Sequence, residues 1–471
     1  MSHFVAAAPA DFRQLVHDAL KAWSARPDAG ATLAGLRLTQ MELDAGAANP
    51  RQATNRVLLD AIKALSAAYD REAALLRMRF LDGLAIHIVA NRLNAAEPSI
   101  YRWQSQAVDR LAELLWQREQ QAIEQRIAAL EARLEPATYS RLVGVEALHA
   151  TLLEQLLGPP ATHLISIHGI GGIGKTSLAD AALRAAIRRA PHSEVAWVSA
   201  RRQRFDFGGR VHSLDQPALT VDGLLDALVV QLLPGTPKFS QASQAIAALR
   251  ASFARQPVMI VVDNLETAAD IQNLLPVLHQ LANPARFVLT TRHSLYGESV
   301  FHLAVPELNE ADALRLVRQE AAQRNLSQLS AADDAQLHPI FLTVGGNALA
   351  LRLVIGQAHA RSLPGILEDL AAARGAPVEQ LYSYVYQAAW ERLNEPCRRA
   401  LLAMPLIAPQ GGSLEQIALI SQLEPGVLGD ALGELVTLNL VDSRAPLLNR
   451  RRYSIHALTR TFLLEQVARW M

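Results

Sequence analysis

Apolar residues recur at helical spacing through most of residues 1–135. The pattern predicts helices separated by short breaks: Asp11–Trp23, Ala53–Tyr69, Arg71–Phe80, Leu84–Leu93, the periodic run Ile100–Leu115 and a charged helix, Arg118–Leu134. Ser99 stands immediately before the run Ile100–Leu115, where its hydroxyl can cap a helix N-terminus. This part of the chain is therefore expected to be all-helical.

From His163 onwards, short apolar runs alternate with helical stretches. The runs are Leu164–Ile167, Val195–Val198, Val258–Val262 and Phe287–Leu289. Strands of this kind, spaced by helices, are typical of a parallel sheet that is buried on both faces. The chain is then helical to about Gly375. The last section, 379–471, predicts helices followed by two extended runs, Val441–Ser443 and Tyr453–His456, a pattern typical of a winged helix.

Composition narrows the function classes. The chain has 471 residues, and its 45 Lys+Arg balance its 45 Asp+Glu, so no net charge draws it to nucleic acid or acidic lipid. The single cysteine, Cys397, excludes an internal disulfide and a cysteine-based zinc site. Residues 1–10 lack the basic region of a signal peptide, and no apolar run reaches the ~18 residues of a membrane span. We therefore expect a cytoplasmic protein with no membrane partner.

The strongest chemical motif is the segment Gly169–Thr176. It satisfies G-x-x-x-x-G-K-[ST] and lies between a predicted strand and a predicted helix, Ser177–Arg188. Such a loop turns backbone N–H groups towards phosphates, while Lys175 reaches the outer phosphates and the Thr176 hydroxyl binds Mg²⁺. The candidate nucleotide-binding residues of this loop are Gly169, Gly171, Gly172, Ile173, Gly174, Lys175, Thr176 and Ser177.

The same glycines also fit the G-x-G-x-x-G pattern of dinucleotide-binding folds. That pattern requires an acidic residue at the end of the next strand, but Ala196–Val198 continues into Ser199, Ala200 and Arg201. The Lys-Thr pair therefore favours a phosphate loop for ATP or ADP.

Polar residues follow two later strands at positions that suit catalysis. Asp263 ends the run Val258–Val262, where a carboxylate can hold Mg²⁺ beside a phosphate loop, although it could also serve only as a strand-end cap. Glu266 could orient or activate the attacking water, but Asn264 occupies the nearer position. Arg292 follows the run Phe287–Leu289 and suits a sensor of the terminal phosphate. Together with Lys175, these are the candidate catalytic residues.

This order of motifs resembles the NB-ARC branch of the STAND signal-transduction ATPases, over roughly residues 136–471. Leu142–Glu146 resembles the motif whose backbone holds adenine, which assigns Val143 and Gly144 to the base, with Val145 in place of the usual arginine. Gly345–Leu351 resembles the G-x-P-L-A-L motif of the helical subdomain. The resemblance implies that Ala348, which replaces the proline, and Leu349 lie at the nucleotide.

The resemblance also assigns a role to His456. Ile455-His456-Ala457 stands where the family has Met-His-Asp, so the imidazole would donate to the β-phosphate of ADP and close the winged helix over it. From the residues alone, a single histidine there is read as part of a core or hairpin. The family implies a switch in which the ADP form is a closed monomer, the ATP form self-associates, and hydrolysis is at most slow. An ordinary metabolic or remodelling ATPase is the weaker alternative.

The segment Arg71–Leu115 resembles the DNA-binding helix-turn-helix of region 4 in bacterial sigma factors. Its candidate DNA contacts are Ser99, Tyr101, Arg102, Gln104, Ser105 and Arg110. Acidic residues offset the arginines here, whereas an operator-binding protein usually presents a net basic face. Two interpretations stay open: a nucleotide-gated transcription regulator that reads DNA, and a signalling or defence scaffold whose N-terminal module recruits an effector. Members of the family commonly continue into sensor repeats, and none follows His456 here. Three alternatives stay open: the sensor is missing, it is a separately encoded sensor or effector protein, or another surface replaces it.

The predicted fold class is multidomain α/β and α: a P-loop NTPase parallel sheet with a helical subdomain, a C-terminal winged helix and an N-terminal all-α helix-turn-helix module. The expected segments are an N-terminal helical region (1–70), the helix-turn-helix (71–118), a linker helix (119–135), the nucleotide-binding domain (136–305), the helical subdomain (306–378) and the winged helix (379–471).

Overall fold

The structure is a computed structural model. It describes residues 8–24, 32–134, 137, 139–159, 162–200, 219–265, 268–292, 295, 299–358, 363–365, 390, 393–407, 411–438, 440–444, 451–455, 459 and 463. The chain divides into two compact units, Met1–Ala129 and Leu130–Met471, and each is described by itself.

The first unit is helical. Its helices are α1 (Phe12–Lys21), α2 (Arg37–Asp44), α3 (Pro50–Ser66), α4 (Asp70–Leu76), a π-helical turn (Arg77–Leu81), α5 (Ile86–Arg92) and α6 (Glu97–Glu131). Helix α3 begins at Pro50, because the Asn49 side chain caps it by accepting a hydrogen bond from the N–H of Gln52 and because proline suits the first turn. The core of this unit includes Leu20, Leu58 and Leu111, all fully buried.

Helix α6 corrects two predictions. It begins at Glu97, so Ser99 lies in its first turn and is not its N-cap. The proline at position 98 suits the start of a helix, because the N–H that it lacks has no partner there in any case. Helix α6 also runs without a break for 35 residues, whereas we predicted two helices, Ile100–Leu115 and Arg118–Leu134. The sequence between residues 100 and 134 contains neither glycine nor proline, so nothing stops the helix.

The second unit contains the predicted parallel sheet. Its strands are β1 (Leu164–His168), β2 (Glu194–Ser199), β3 (Val258–Leu265), β4 (Arg286–Thr291) and β5 (Val300–Ala304). They pair in the order β2-β3-β4-β1-β5, and every pair is parallel. The four predicted apolar runs all form strands, and they are almost wholly buried. Strand β5, which the sequence analysis did not identify, is an edge strand with exposed positions.

Helices flank and follow the sheet. Those of the sheet region are α7 (Glu146–Leu157), α8 (Lys175–Arg189), α9 (Val221–Leu232), α10 (Ala242–Phe253) and α11 (Ala268–Leu281). After β5 come α12 (Glu310–Gln323), α13 (Ser327–Ser330), α14 (Asp334–Val344), α15 (Ala348–Gln357), α16 (Glu395–Ala403), α17 (Leu414–Ser421) and α18 (Pro425–Thr437). Strands β6 (Asp442–Arg444) and β7 (Arg452–Ser454) close this part as an antiparallel pair. None of the described helices combines the length and apolarity needed to cross a bilayer.

A buried charge cluster ties three of these elements together. Glu320 on α12 is 8% exposed, and its Oε1 lies 3.1 Å from Nε of Arg352 on α15. Its other oxygen lies 3.6 Å from Nε of Arg324. Arg352 also reaches Asp442 at the start of β6, at 3.7 Å. Because buried charges are tolerated only when they are paired, this cluster fixes α15 against both α12 and the β6–β7 pair.

The Gln231 side chain pairs with the backbone at the middle of the outer edge of β2. Gln231 on α9 accepts a hydrogen bond from the N–H of Trp197 and donates one to its carbonyl oxygen, each at 3.0 Å. The amide therefore pairs with the strand backbone as a neighbouring strand would. An edge strand with unpaired groups is a template for pairing with another chain, and Gln231 protects β2 from that.

We expect Gln231→Leu to destabilise the nucleotide-binding sheet by about 1–3 kcal/mol, because it leaves two backbone groups of Trp197 without partners. The measurement is the urea unfolding midpoint of the purified protein. Val230→Ala is the matched control, since Val230 lies on the same helix and is 74% exposed. Equal midpoints for the two variants would contradict the role given to Gln231.

Candidate functional site

The loop between β1 and α8 has the shape of an anion cradle. Gly174 is the N-cap of α8 with φ of 107°, a left-handed conformation that favours glycine. A β-carbon at Gly174 would meet no heavy atom within 4 Å, so the space beside the helix N-terminus is open. The N-terminus of α8 adds positive potential there. This open, electropositive loop fits a phosphate group.

Lys175 provides the positive side chain of the loop. Its Nζ donates to the carbonyl oxygens of Gly169 and Ile170, at 2.7 and 2.8 Å, so the ammonium lies across the loop. His168, at the end of β1, carries little charge at neutral pH. Burial lowers its pKa, and the nearby His302 and Lys175 lower it further. Charge at this end of β1 is therefore concentrated on the lysine.

Asp263 brings together the ends of two strands and the start of α8. The carboxylate is fully buried, and its Oδ1 accepts from the Thr176 hydroxyl at 2.7 Å and from the Thr290 hydroxyl at 2.6 Å. Thr290 in turn accepts from the N–H of Asn264 at 2.8 Å. The two predicted metal ligands, Thr176 and Asp263, are thus in direct contact. A hydroxyl and one carboxylate are the usual protein contribution to Mg²⁺ at a phosphate site.

No group of three or more His, Cys, Asp or Glu side chains suited to a metal occurs among the residues that the structure describes. At phosphate sites, Mg²⁺ usually takes its remaining ligands from phosphate oxygens and water. The sequence analysis did not identify Thr290. Its contact with Asp263 depends on the pairing of β3 with β4, which the sequence pattern does not reveal.

Asn264 occupies an irregular point in β3. The register of β3 on β4 shifts between Val262 and Leu265, and Asn264 has φ of 70°. Asparagine is one of the few residues that tolerate this left-handed conformation. Its amide cannot act as a general base, so the position next to Asp263 offers no proton acceptor. Glu266, the other candidate for that role, lies outside the described residues.

Arg292 directly follows β4 and is half-buried. Parallel strands end at one edge of the sheet, and β4 lies between β1 and β3. The arginine therefore follows the strand that separates the phosphate loop from Asp263. His456, the predicted contact to ADP, lies outside the described residues.

The start of α15 forms two hydrogen bonds with the phosphate loop. The Asn347 side chain donates to the carbonyl oxygen of Gly171 at 2.9 Å, and the N–H of Leu349 donates to that of Gly172 at 3.2 Å. Ala348 and Leu349, predicted at the nucleotide, form the first turn of α15 beside the loop. The sequence analysis missed Asn347. An asparagine before a helical run signals an N-cap, but nothing in the sequence indicates its second contact.

Two close backbone approaches hold this arrangement. A β-carbon at Gly346 would lie 2.0 Å from the carbonyl oxygen of Leu308, and the N–H of Leu308 donates to Gly346 at 2.9 Å. A β-carbon at Gly169 would lie 2.7 Å from the carbonyl oxygen of Val305. The segment between β5 and α12 therefore lies against the phosphate loop at one end and against the residues before α15 at the other.

The structure also describes the surroundings of the other predicted binding residues. Val143 is 8% exposed and belongs to the core of the helical region. A β-carbon at Gly144 would lie 2.7 Å from Cδ2 of Leu308, so this motif packs on the segment that leads into α12. Ile173 is buried, and Ser177 lies half-buried in the first turn of α8.

The predicted DNA contacts on α6 differ in accessibility. Tyr101 is 59% exposed and Arg102 is exposed, whereas Ser99 and Gln104 are half-buried. Ser105 is exposed but accepts a hydrogen bond from Arg13 at 2.8 Å. Arg110 forms an ion pair with Glu72, and its guanidinium lies 4.0 Å from the ring centre of Tyr69. Of the six candidates, Tyr101 and Arg102 are therefore the most accessible.

The chain is similar to a curated bacterial protein and, at low identity, to solved structures. The regulatory protein AfsR of Streptomyces griseus is 25% identical over 341 residues, which cover 69% of this chain and 32% of AfsR. The chain therefore spans about a third of the length of that relative. Among solved structures, ORC1 of Aeropyrum pernix in complex with DNA is 17% identical with a TM-score of 0.35, covering 71% of this chain and 96% of that one.

AMPPCP-bound DnaA of Aquifex aeolicus is 14% identical with a TM-score of 0.32, covering 63% of this chain and 89% of that one. The model of the NB-ARC domain matches residues 145–327, which begin at Val145 and include the phosphate loop, Asp263 and Arg292. The NB-ARC domain implies nucleotide binding, in agreement with the cradle at Gly169–Thr176. Residues 145–327 of this chain thus match the NB-ARC domain.

Proposed function

We propose that this protein is a switch that binds ATP or ADP with Mg²⁺ and regulates transcription through its N-terminal module. One observation carries the proposal. Asn347 and Leu349, at the start of α15, donate hydrogen bonds to carbonyl oxygens of the phosphate loop. A loop that only binds a nucleotide needs no such contacts, whereas a switch must connect the loop to a second element.

The chain's own groups suit the phosphates. The backbone N–H groups of the loop and the N-terminus of α8 would bind phosphate oxygens, and the Lys175 ammonium would neutralise their charge. Thr176 and Asp263 would hold the Mg²⁺, which when bound neutralises phosphate charge. Val143, Gly144 and the first turn of α15 would enclose the base, as the family resemblance implies.

A path of contacts leads from the loop to the C-terminal strands. Asn347 caps α15 and touches the loop, and Arg352, on the same helix, joins Glu320 and Asp442. A change in the loop therefore bears on the β6–β7 pair through one short helix. We infer that β6 and β7 form the wing of a winged helix, and that His456, which follows β7, closes it on the β-phosphate of ADP.

The site favours slow hydrolysis. Asn264 offers no base beside Asp263, which leaves Glu266 as the candidate to orient water and Arg292 as the sensor of the terminal phosphate. A long-lived nucleotide state suits a switch, because the population of each conformation then follows which nucleotide is bound. In this proposal the ATP form self-associates and the ADP form is a closed monomer.

Transcription regulation is favoured over a scaffold role by two observations. The alignment with AfsR, a regulatory protein, covers 69% of this chain. Tyr101 and Arg102 are exposed near the start of α6, where they can reach DNA. The second candidate is a signalling or defence scaffold that recruits an effector or sensor protein. It is favoured by Arg110 and Ser105, whose intramolecular contacts reduce the surface available to DNA.

Lys175→Ala tests nucleotide binding. We expect this variant to lose measurable binding of ADP, because it lacks the loop's ammonium. Isothermal titration calorimetry of nucleotide-free protein gives the affinity. Lys238→Ala, which removes an exposed lysine paired with Asp226 in the same unit, should bind ADP as the wild type does. Tight ADP binding by Lys175→Ala would overturn the proposed site.

Thr290→Val tests the metal arrangement. The substitution keeps the shape of the side chain but removes the hydroxyl that donates to Asp263 and accepts from the N–H of Asn264. We expect the affinity for ATP to fall about tenfold with Mg²⁺, the effect of losing about 1.4 kcal/mol, and to change little with EDTA. An equal loss in both conditions would show that Thr290 supports the fold and not the metal site.

Salt dependence separates DNA binding from the scaffold role. A regulator should bind its DNA with a steep linear fall of log affinity against log salt, and Arg102→Ala should reduce that slope by about 1. Lys21→Ala is the control, because Lys21 is an exposed cation on α1 of the same unit. Fluorescence anisotropy with a genomic fragment library provides the measurement. No binding at low salt would favour the scaffold.

A further inference from the structure

Asn347 makes polar contacts in two directions. Its side-chain oxygen accepts from the N–H groups of Leu349 and Ala350, at 3.1 and 3.3 Å, and so caps α15. Its side-chain nitrogen donates to the carbonyl oxygen of Gly171 at 2.9 Å. The residue is 1% exposed, so water offers little substitute for either contact.

The cap fixes which way the amide points. Helix N–H groups accept nothing, so the oxygen of Asn347 must face Leu349 and Ala350. The nitrogen then faces the phosphate loop, where the carbonyl oxygen of Gly171 accepts its hydrogen bond. Both halves of the amide are therefore matched to their partners.

The contact also orients the loop backbone. A peptide unit is planar and trans, so its C=O and N–H point in opposite directions. The Gly171 carbonyl points to Asn347, which turns the N–H of Gly172 away from α15. The Gly172 carbonyl points to the N–H of Leu349, which turns the N–H of Ile173 away as well. Successive N–H groups that point the same way form an anion-binding nest.

We propose that Asn347 is a positioning residue for nucleotide binding: its amide N–H holds the Gly171 peptide in the orientation that presents the next N–H group to phosphate. The inference rests on the proposed nucleotide site and adds a residue to it. Asn347 does not touch the nucleotide in this account, since it acts through the loop.

Asn347→Asp separates the cap from the loop contact. A carboxylate still accepts from Leu349 and Ala350, and aspartate is as good an N-cap as asparagine. It cannot donate to Gly171, and its second oxygen faces the carbonyl oxygen there. Asn49→Asp is the matched control, because Asn49 caps α3 through Gln52, in the other unit.

The experiment measures the affinity for N-methylanthraniloyl-ADP by fluorescence, and the melting temperature of the nucleotide-free protein. At pH 7.5 we expect Asn347→Asp to weaken binding about tenfold or more, as the loss of one buried hydrogen bond implies. Its melting temperature without nucleotide should fall less than that of Asn347→Ala, because the cap on α15 is kept. Asn49→Asp should change neither quantity.

Lowering the pH provides an internal rescue. A protonated carboxyl group carries an O–H donor that can replace the lost N–H. The ratio of dissociation constants, Asn347→Asp over wild type, should therefore fall towards one between pH 7.5 and pH 5. Asn347→Ala, which has neither cap nor donor, should show no such recovery.

The outcomes are distinct. Wild-type affinity in Asn347→Asp at pH 7.5 would overturn the inference and leave the proposed function standing, provided that Lys175→Ala has lost binding. A melting temperature without nucleotide that falls as far in Asn347→Asp as in Asn347→Ala would also overturn it, because Asn347 would then support only the fold. Absence of binding by the wild type would overturn the proposed function and this inference together.

Discussion

The site depends on how closely three backbone segments approach one another. At Gly169 and at Gly346 the neighbouring carbonyl oxygens, of Val305 and Leu308, occupy the space that a side chain would need. This contact brings the start of α15 within hydrogen-bonding distance of the phosphate loop. A larger residue at either glycine would force the backbones apart, because carbonyl oxygens cannot rotate away as side chains do. In the proposed switch, nucleotide binding and the response would therefore be linked by backbone packing.

The buried cluster around Glu320 holds the middle of α15 in place. One carboxylate faces two guanidinium groups, of Arg324 and Arg352, and the second of these also reaches Asp442. Breaking such a pair by removing one partner typically costs about 3–5 kcal/mol, because a charge is left without a partner in the interior. A movement of the β6–β7 pair must therefore exchange this arrangement for another that is equally well paired. Elements of this kind have discrete positions, which suits an all-or-none response.

Local chemistry was readable from the sequence, and long-range pairing was not. The phosphate loop, Asp263 and strands β1 to β4 follow from glycine spacing and apolar runs, which are properties of adjacent residues. Thr290 and Asn347 act across 27 and 176 positions of the chain, so their roles depend on strand order and on how helices pack. Strand β5 was missed because its half-exposed pattern carries no continuous apolar run. Helix α6 is longer than predicted, because the charged residues that follow Leu115 are good helix formers and do not end the helix.

The bulge in β3 limits how this protein could change in evolution. Asn264 has a left-handed backbone, which costs most residues about 1–2 kcal/mol and costs asparagine or aspartate less. Of the two acidic residues, aspartate is therefore the one that this position accepts without reshaping the strand. In the proposed switch, replacing Asn264 by aspartate would add a carboxylate base beside Asp263 and could speed hydrolysis. A glutamate there would need a different strand geometry. In the proposed switch, the lifetime of the ATP-bound form would thus depend on one backbone torsion angle.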